Sequence, residues 1–360
     1  MKKFITKIIL FMLPVIVGAY LGDYLISKKI RESGIGDFSV WEDIYNGRIN
    51  ADIAIYGSSR AANHINPMTL EKELNSTAYN LGMVGQNIWL QNLRHIEYLK
   101  YNRKPKVLIY SLDDFLLFND PIGIYQPDQF SPYIFWPERT EIKKQLSVYE
   151  HPPFTYFDYK VPLLRYVDSY YTNKALELVR NTIFSYISKL KLSDDDTTPK
   201  PEVSKNENTT ETEDATAYNL PGKKVKGYIP RNLTWNNDLD EAQASMKNFH
   251  TSVNKKGIRL FEKMINELQQ KNILVVFVYT PEYVEGQKFI KNRAQVMKIY
   301  KDISKKYNIP FYDYSKDSMS YEKKYFFNSL HLNAAGAELF SEKLAKDLKP
   351  VLQESLKKQE

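Results

Sequence analysis

The chain has 360 residues, 43% hydrophobic and 26% charged, values that exclude wholesale disorder and a polytopic membrane protein. It has no cysteine, which excludes a disulfide scaffold, thiolate zinc and iron–sulfur ligation, and a cysteine nucleophile. A formal charge of +7 raises the question of nucleic acid, but the basic residues are scattered with no stripe, so a solvated surface is expected and no nucleic-acid partner.

Lys2, Lys3 and Lys7 precede an uncharged run from Ile8 to Gly22. With Phe4 and Ile5 counted and Lys7 snorkelling, the run reaches the roughly 20 residues a membrane span needs. Residues 1–30 therefore read as an export or anchoring segment. Val17-Gly18-Ala19 offers a small-residue cleavage site, but without the A-x-A form, which favours a retained anchor over a cleaved signal peptide. Lys28, Lys29 and Arg31 follow, so charge does not set the orientation; the expectation is an exported, extracytoplasmic main domain.

Beyond residue 36, short apolar runs alternate with helical periods. Asp52–Tyr56, Ala78–Leu81, Val107–Tyr110, Ile273–Tyr279 and Ile309–Tyr312 read as five strands. The fourth is the most hydrophobic and is expected at the centre of the sheet. Asn66-Pro67 starts a helix through Leu74. Further helical stripes run through Ile88, Leu90, Leu93, Ile96 and Leu99, through Ile258, Phe261, Ile265 and Leu268, and through Ala337, Phe340, Leu344 and Leu348. This alternation predicts an α/β fold, a flavodoxin-like three-layer α/β/α sandwich with a parallel central sheet. Ligands in such sheets bind at the carboxyl ends of the strands.

The core is expected to span 37–114 and 236–352. Between them lies a proline- and aromatic-rich insertion at 115–192 (Pro121, Pro127, Pro132, Trp136, Pro152, Pro153, Tyr156), read equally as a cap over the catalytic end or as a structural piece without ligand contact. It carries a helical stripe of Leu176, Val179, Ile183 and Ile187. Residues 193–217 hold eight acidic side chains and two lysines with little to bury, the composition of a disordered linker.

Three local patterns carry chemistry. Gly57-Ser58-Ser59-Arg60 follows the first strand and opens a helix, a place where a serine hydroxyl stands at the sheet's carboxyl edge beside backbone N–H donors. Asn80-Leu81-Gly82-Met83-Val84-Gly85 follows the second strand, and its glycines permit close backbone approach. Asn328-Ser329-Leu330-His331-Leu332-Asn333 precedes the last helix, with Asn333 as its N-cap. A histidine there suits the role of general base for a serine on the first strand. His64, His95, His151 and His250 lack a comparable setting and read as solvated or structural. Five histidines and no cysteine argue against a metal site, and no cofactor is expected.

In this order, GSS, NLGxxG and xxxHLNxxG resemble the SGNH/GDSL hydrolase superfamily over residues 51–114 and 256–348. The resemblance implies that Ser59 is the nucleophile, that its own N–H and that of Gly85 form the oxyanion hole, and that His331 is the general base. It implies a serine-nucleophile acyl esterase or O-acyltransferase acting on an acylated carbohydrate or polysaccharide of the cell envelope. The N-terminal anchor with a GSS-type first block is similar to exported polymer-modifying members such as alginate O-acetyltransferases and the D-alanyl-lipoteichoic acid biosynthesis protein. The alternative is a degenerate member that binds glycan or scaffolds a membrane-bound O-acyltransferase.

Two positions depart from that pattern. The family has an aspartate three residues before the histidine, where this chain has Asn328. An amide oxygen still orients the imidazole; Asp313, at the end of the fifth strand, is a candidate replacement for the carboxylate. The third-block asparagine is also absent. Asp113 and Asp114 stand near its place, and Asn87 or Gln86 is a candidate donor in its stead.

Overall fold

In a computed structural model the described residues are 2–117, 127–134, 140–146, 161–166, 224–236, 238–246 and 249–357. The stripe Leu176–Ile187, the acidic stretch 193–217 and most of the expected cap lie outside them. The chain divides into two compact units. One comprises the described parts of 1–33, 127–140 and 154–220; the other comprises those of 34–126, 141–153 and 221–360.

In the first unit, α1 (Lys2–Glu32) is long and apolar enough to cross a membrane or act as a signal sequence. Phe4, Leu10, Phe11 and Leu21 are exposed along it, while Asp23 and Ser27 near its end are buried. Burying the Asp23 carboxylate is tolerable because Arg165 pairs with it at 2.6 Å and the Leu163 N–H donates to it at 2.7 Å. Ser27 shares a hydrogen bond with the Tyr166 hydroxyl, 2.7 Å. The insertion is thus not one piece: 127–134 and 161–166 group with α1, whereas 141–146 and 115–117 group with the second unit.

The second unit is an α/β layer structure around a five-stranded parallel sheet. Its strands are β1 (Ile53–Tyr56), β2 (Ala78–Asn80), β3 (Val107–Leu112), β4 (Leu274–Tyr279) and β5 (Phe311–Asp313), in the order β2-β1-β3-β4-β5. β3, not β4, is therefore the middle strand. β3 and β4 are both interior, and apolar richness reports burial on two faces, which both strands have, rather than rank across the sheet.

Alternation along the strands builds two cores. Ile53, Ile55, Val107, Ile109, Val276 and Val278 pack with Leu70 of α4 (Pro67–Leu74) and with Phe340, Leu344 and Leu348 of the last helix, Ala334–Lys357. The alternate positions Tyr110 and Phe277 meet Phe261 of the helix Lys255–Gln270, with ring centroids 5.0 and 5.6 Å away. Asparagines start the helices: Asn66, Asn87 and Asn254 each accept the backbone N–H two residues on.

Three features differ from the sequence reading. A helix, Arg293–Lys306, precedes β5, and another, α2 (Asp37–Tyr45), precedes β1. The core resumes before residue 236. Residues 224–229 run along the open edge of β2, where Asn80 N–H donates to Lys226 O (2.9 Å), and Ile229 N–H ties the segment to Ala62 O of the helix Ser59–His64 (2.9 Å). The segment before the last helix is an antiparallel hairpin of β6 (Phe326–Asn328) and β7 (His331–Leu332), not a plain loop.

Candidate active site

β1 ends at Tyr56, and Gly57 turns the chain into α3 (Ser59–His64) with φ 141°. A side chain at Gly57 would lie 2.6 Å from Ser111 O and 2.9 Å from the Ala61 Cβ, so only glycine allows the turn to sit this close to β3. Ser59 is the first residue of α3, where N–H groups have no partner within the helix.

The Ser59 Oγ lies 2.8 Å from His331 Nε2, across 272 positions of sequence. Ser59 is half-buried and His331 is buried. His331 Nδ1 lies 3.0 Å from Asn328 Oδ1, so Ser59, His331 and Asn328 form one continuous relay. The hairpin makes this possible. Asn328 Oδ1 also accepts the backbone N–H groups of Leu330 (3.0 Å) and His331 (2.9 Å), an Asx turn between β6 and β7.

Those two backbone donors decide the chemistry of the amide. They fix Oδ1, not Nδ2, toward the ring, so the ring must carry its proton on Nδ1, which leaves Nε2 as acceptor for the Ser59 hydroxyl proton. In a serine protease, an asparagine in place of the aspartate costs about 10⁴ in kcat because the wrong tautomer results. Here the clamped amide excludes that tautomer. What it does not supply is negative charge. Burial, with Arg60 and Arg231 adding their positive charge, pushes the His331 pKa down to about 3.

Phe327 stacks flat on the His331 ring, 5.5 Å between centroids at 11°. Gly85 occupies a turn tied to the chain leading into Ser59. Its φ is 69°, Gln86 N–H donates to Met83 O (3.2 Å), and Met83 N–H donates to Gly57 O (2.9 Å). Gly82 packs against α3, and a Cβ there would lie 2.7 Å from Ala62 N. Asn80 pins the two pieces together, donating through Nδ2 to Ala61 O (2.6 Å) and Ile65 O (2.9 Å) and accepting Gly82 N–H (2.9 Å).

The accessory candidates sort differently. Asp313 is exposed and accepts Ser315 N–H at 3.1 Å, while Asn328 takes the His331 Nδ1 position, so Asp313 is not the orienting group. Asn87 spends its side-chain oxygen capping α5 (Ile88–Tyr101). Asp113 accepts from Phe115 N–H (2.8 Å) and the Ser58 hydroxyl, and burial raises its pKa. Asp114 accepts the Tyr279 hydroxyl at 2.7 Å. Asp114 thus belongs to a buried ionic network beneath the Ser58-Ser59 turn, built with Arg60, Glu282 and Arg293, and Asp113 lies beside it in the field of Arg60.

Reasoning from sequence missed Arg60 and Glu282; His64, read as solvated or structural, is structural, buried and bonded through both ring nitrogens. Arg60 is adjacent to the serine, and a basic residue heading a helix otherwise reads as solvated. The signal available was its position directly after the Gly57-Ser58-Ser59 turn. Among the described residues no group of three or more His, Asp or Glu is placed to hold a metal ion. Neither the protein-family models nor the curated proteins yield a match to this chain.

Proposed function

We propose that the chain is a serine-nucleophile acyl esterase or O-acyltransferase of the SGNH/GDSL type, acting on an acylated carbohydrate of the cell envelope. The observation that carries the reading is the 2.8 Å approach of Ser59 Oγ to a His331 Nε2 whose other nitrogen is oriented by Asn328. The order β2-β1-β3-β4-β5 is that of a flavodoxin-like sheet, with Ser59 after β1 and His331 ahead of the last helix, and this supports the reading. His331 Nε2 takes the Ser59 proton as Oγ attacks the ester carbonyl carbon. The N–H groups of Ser59 and Gly85 receive the oxyanion. Collapse expels the sugar oxygen, which His331 protonates, leaving an acyl-Ser59. Water or a second sugar hydroxyl, deprotonated by His331, then attacks and frees Ser59. Hydrolysis and transfer differ only in that acceptor.

α1 supplies the membrane attachment in this reading. It stays helical through Val17-Gly18-Ala19 and its last part is packed by the Asp23–Arg165 pair, which favours a retained anchor; an exported main domain is part of the proposal. The test is a fluorophosphonate probe on the full-length chain: labelling that disappears in Ser59→Ala supports the enzyme. The missing carboxylate at Asn328 favours a second reading, a catalytically degenerate scaffold for a membrane-bound O-acyltransferase. Absence of labelling at every pH would select it.

A pH prediction follows from His331. A base must be neutral to act, and a pKa lowered to about 3 keeps it neutral throughout the usual range. The labelling rate should therefore stay flat from pH 8 to 5, where a histidine of ordinary pKa would lose about 30-fold. Asn328→Asp places a carboxylate on Nδ1, raises the His331 pKa and should bring the acid limb up into that window. A wild-type limb near pH 6.5 would contradict the assigned electrostatics.

A further inference from the structure

We propose that His64 is a positioning residue that holds the base strand against the nucleophile helix through the Leu332 amide. The inference rests on the serine-nucleophile reading above and deepens it. α3 begins at Ser59 and ends at His64, so one short helix carries both residues. His64 is fully buried, and its two ring nitrogens are both engaged. Nε2 accepts the backbone N–H of Leu332 at 3.1 Å, and Nδ1 lies 2.9 Å from Thr280 Oγ1.

Because a backbone N–H can only donate, Nε2 must be unprotonated; the ring is the Nδ1–H tautomer and donates to the Thr280 hydroxyl. One imidazole therefore joins three pieces: the helix that presents Ser59, the residue after β4, and β7 next to His331. Its ring also meets the His331 ring edge to face, 5.8 Å between centroids at 86°. Phe327 lies flat against that same His331 ring, so the base is gripped by two aromatic neighbours. A protonated His64 would turn an N–H against the Leu332 N–H and set a positive charge beside His331. Burial, His331 and Arg60 hold its pKa well below the ordinary value, in keeping with a permanently neutral acceptor. His64 touches none of the reacting atoms; it acts through Leu332 and His331.

The test uses the full-length protein with two readouts, the fluorophosphonate labelling rate of Ser59 and the ring ¹⁵N spectrum of histidine-labelled protein. His64→Phe fills the volume but offers no acceptor, and should slow labelling roughly 100-fold, the scale of a misplacement near 1 Å. His64→Gln, whose Oε1 accepts from the Leu332 N–H, should return the rate to within about tenfold of wild type, the worth of one imperfect hydrogen bond. The His331 ring should report the Nδ1–H form in wild type and His64→Gln, and a mixed or shifted signal in His64→Phe. Equal labelling by wild type and His64→Phe, or equal loss in the Phe and Gln variants, overturns the proposal. Should the wild-type chain not label, the serine reading falls. The ¹⁵N spectra still decide the positioning role, and an unchanged His331 signal in His64→Phe refutes it. Should His64→Phe not fold, Thr280→Val removes only the Nδ1 partner; about tenfold slower labelling supports the role and an unchanged rate refutes it.

Discussion

His331→Ala should lower ester turnover by about 10⁴- to 10⁶-fold, the scale seen when one member of a serine–histidine unit is removed. Two facts make the expected loss this large. The serine hydroxyl has His331 Nε2 within 2.8 Å as its proton acceptor. The two other buried histidines cannot stand in: His64 is committed to Leu332 and Thr280, and His95 bonds the Tyr56 hydroxyl at 3.1 Å. The fold should survive. Asn328 Oδ1 keeps the Leu330 and His331 backbone N–H groups when the imidazole goes, so the Asx turn stays closed. The cost should be about 1–2 kcal/mol, near the centre of ordinary point substitutions. The measurement pairs turnover of a chromogenic acetate ester with a thermal melt. A variant that keeps a tenth of wild-type turnover would mean that another group takes the proton.

The sheet was legible because interior parallel strands must bury both faces. VLIY and ILVVFVY announce themselves as uninterrupted apolar runs, and Asn66-Pro67 and Asn333 mark helix starts by local rules. The serine and histidine were legible for a related reason, since each sits at an element boundary where a polar residue has no packing role. Asn328 read as a lost carboxylate. That its amide could be clamped depends on the reversal between β6 and β7, and a three-residue strand paired with a two-residue one leaves almost no period to read. The network partners were hidden by distance. Arg60 meets Glu282 across 222 positions and His64 meets Leu332 across 268, and nothing local distinguishes such residues from solvated ones. The order of strands was hidden for a different reason, because hydrophobicity does not distinguish the middle of a sheet from its neighbour.

Arg60→Met should destabilise the protein by about 3–5 kcal/mol, because it strands buried carboxylates. The Arg60 side chain is 3% exposed and those of Asp114 and Glu282 are each 1% exposed. Its guanidinium bonds Glu282, lies 3.5 Å from Asp114 and stands over the Tyr279 ring at 5.1 Å. Arg293 approaches the same ring at 4.8 Å and bonds Glu282 at 3.3 Å. The Tyr279 hydroxyl has Asp114 at 2.7 Å and Glu282 at 2.8 Å but only one proton to donate. Burial with the neighbouring Asp114 charge pushes the Glu282 pKa up, and the Arg60 and Arg293 charges oppose that rise. Asp114 and Glu282 balance Arg60 and Arg293. Methionine at 60 removes one positive charge while keeping most of the volume, and the remaining excess of carboxylate has no route to water. For a unit of this size the loss corresponds to a drop in Tm of about 10 °C. A second variant separates charge from packing. Arg60→Met with Glu282→Leu leaves Asp114 facing Arg293 and should regain much of the loss, as buried ion pairs often do when replaced together by apolar groups. If Arg60→Met melts with wild type, the network does not hold the nucleophile turn on the sheet; if the double variant melts lower still, packing rather than charge is what Arg60 supplies.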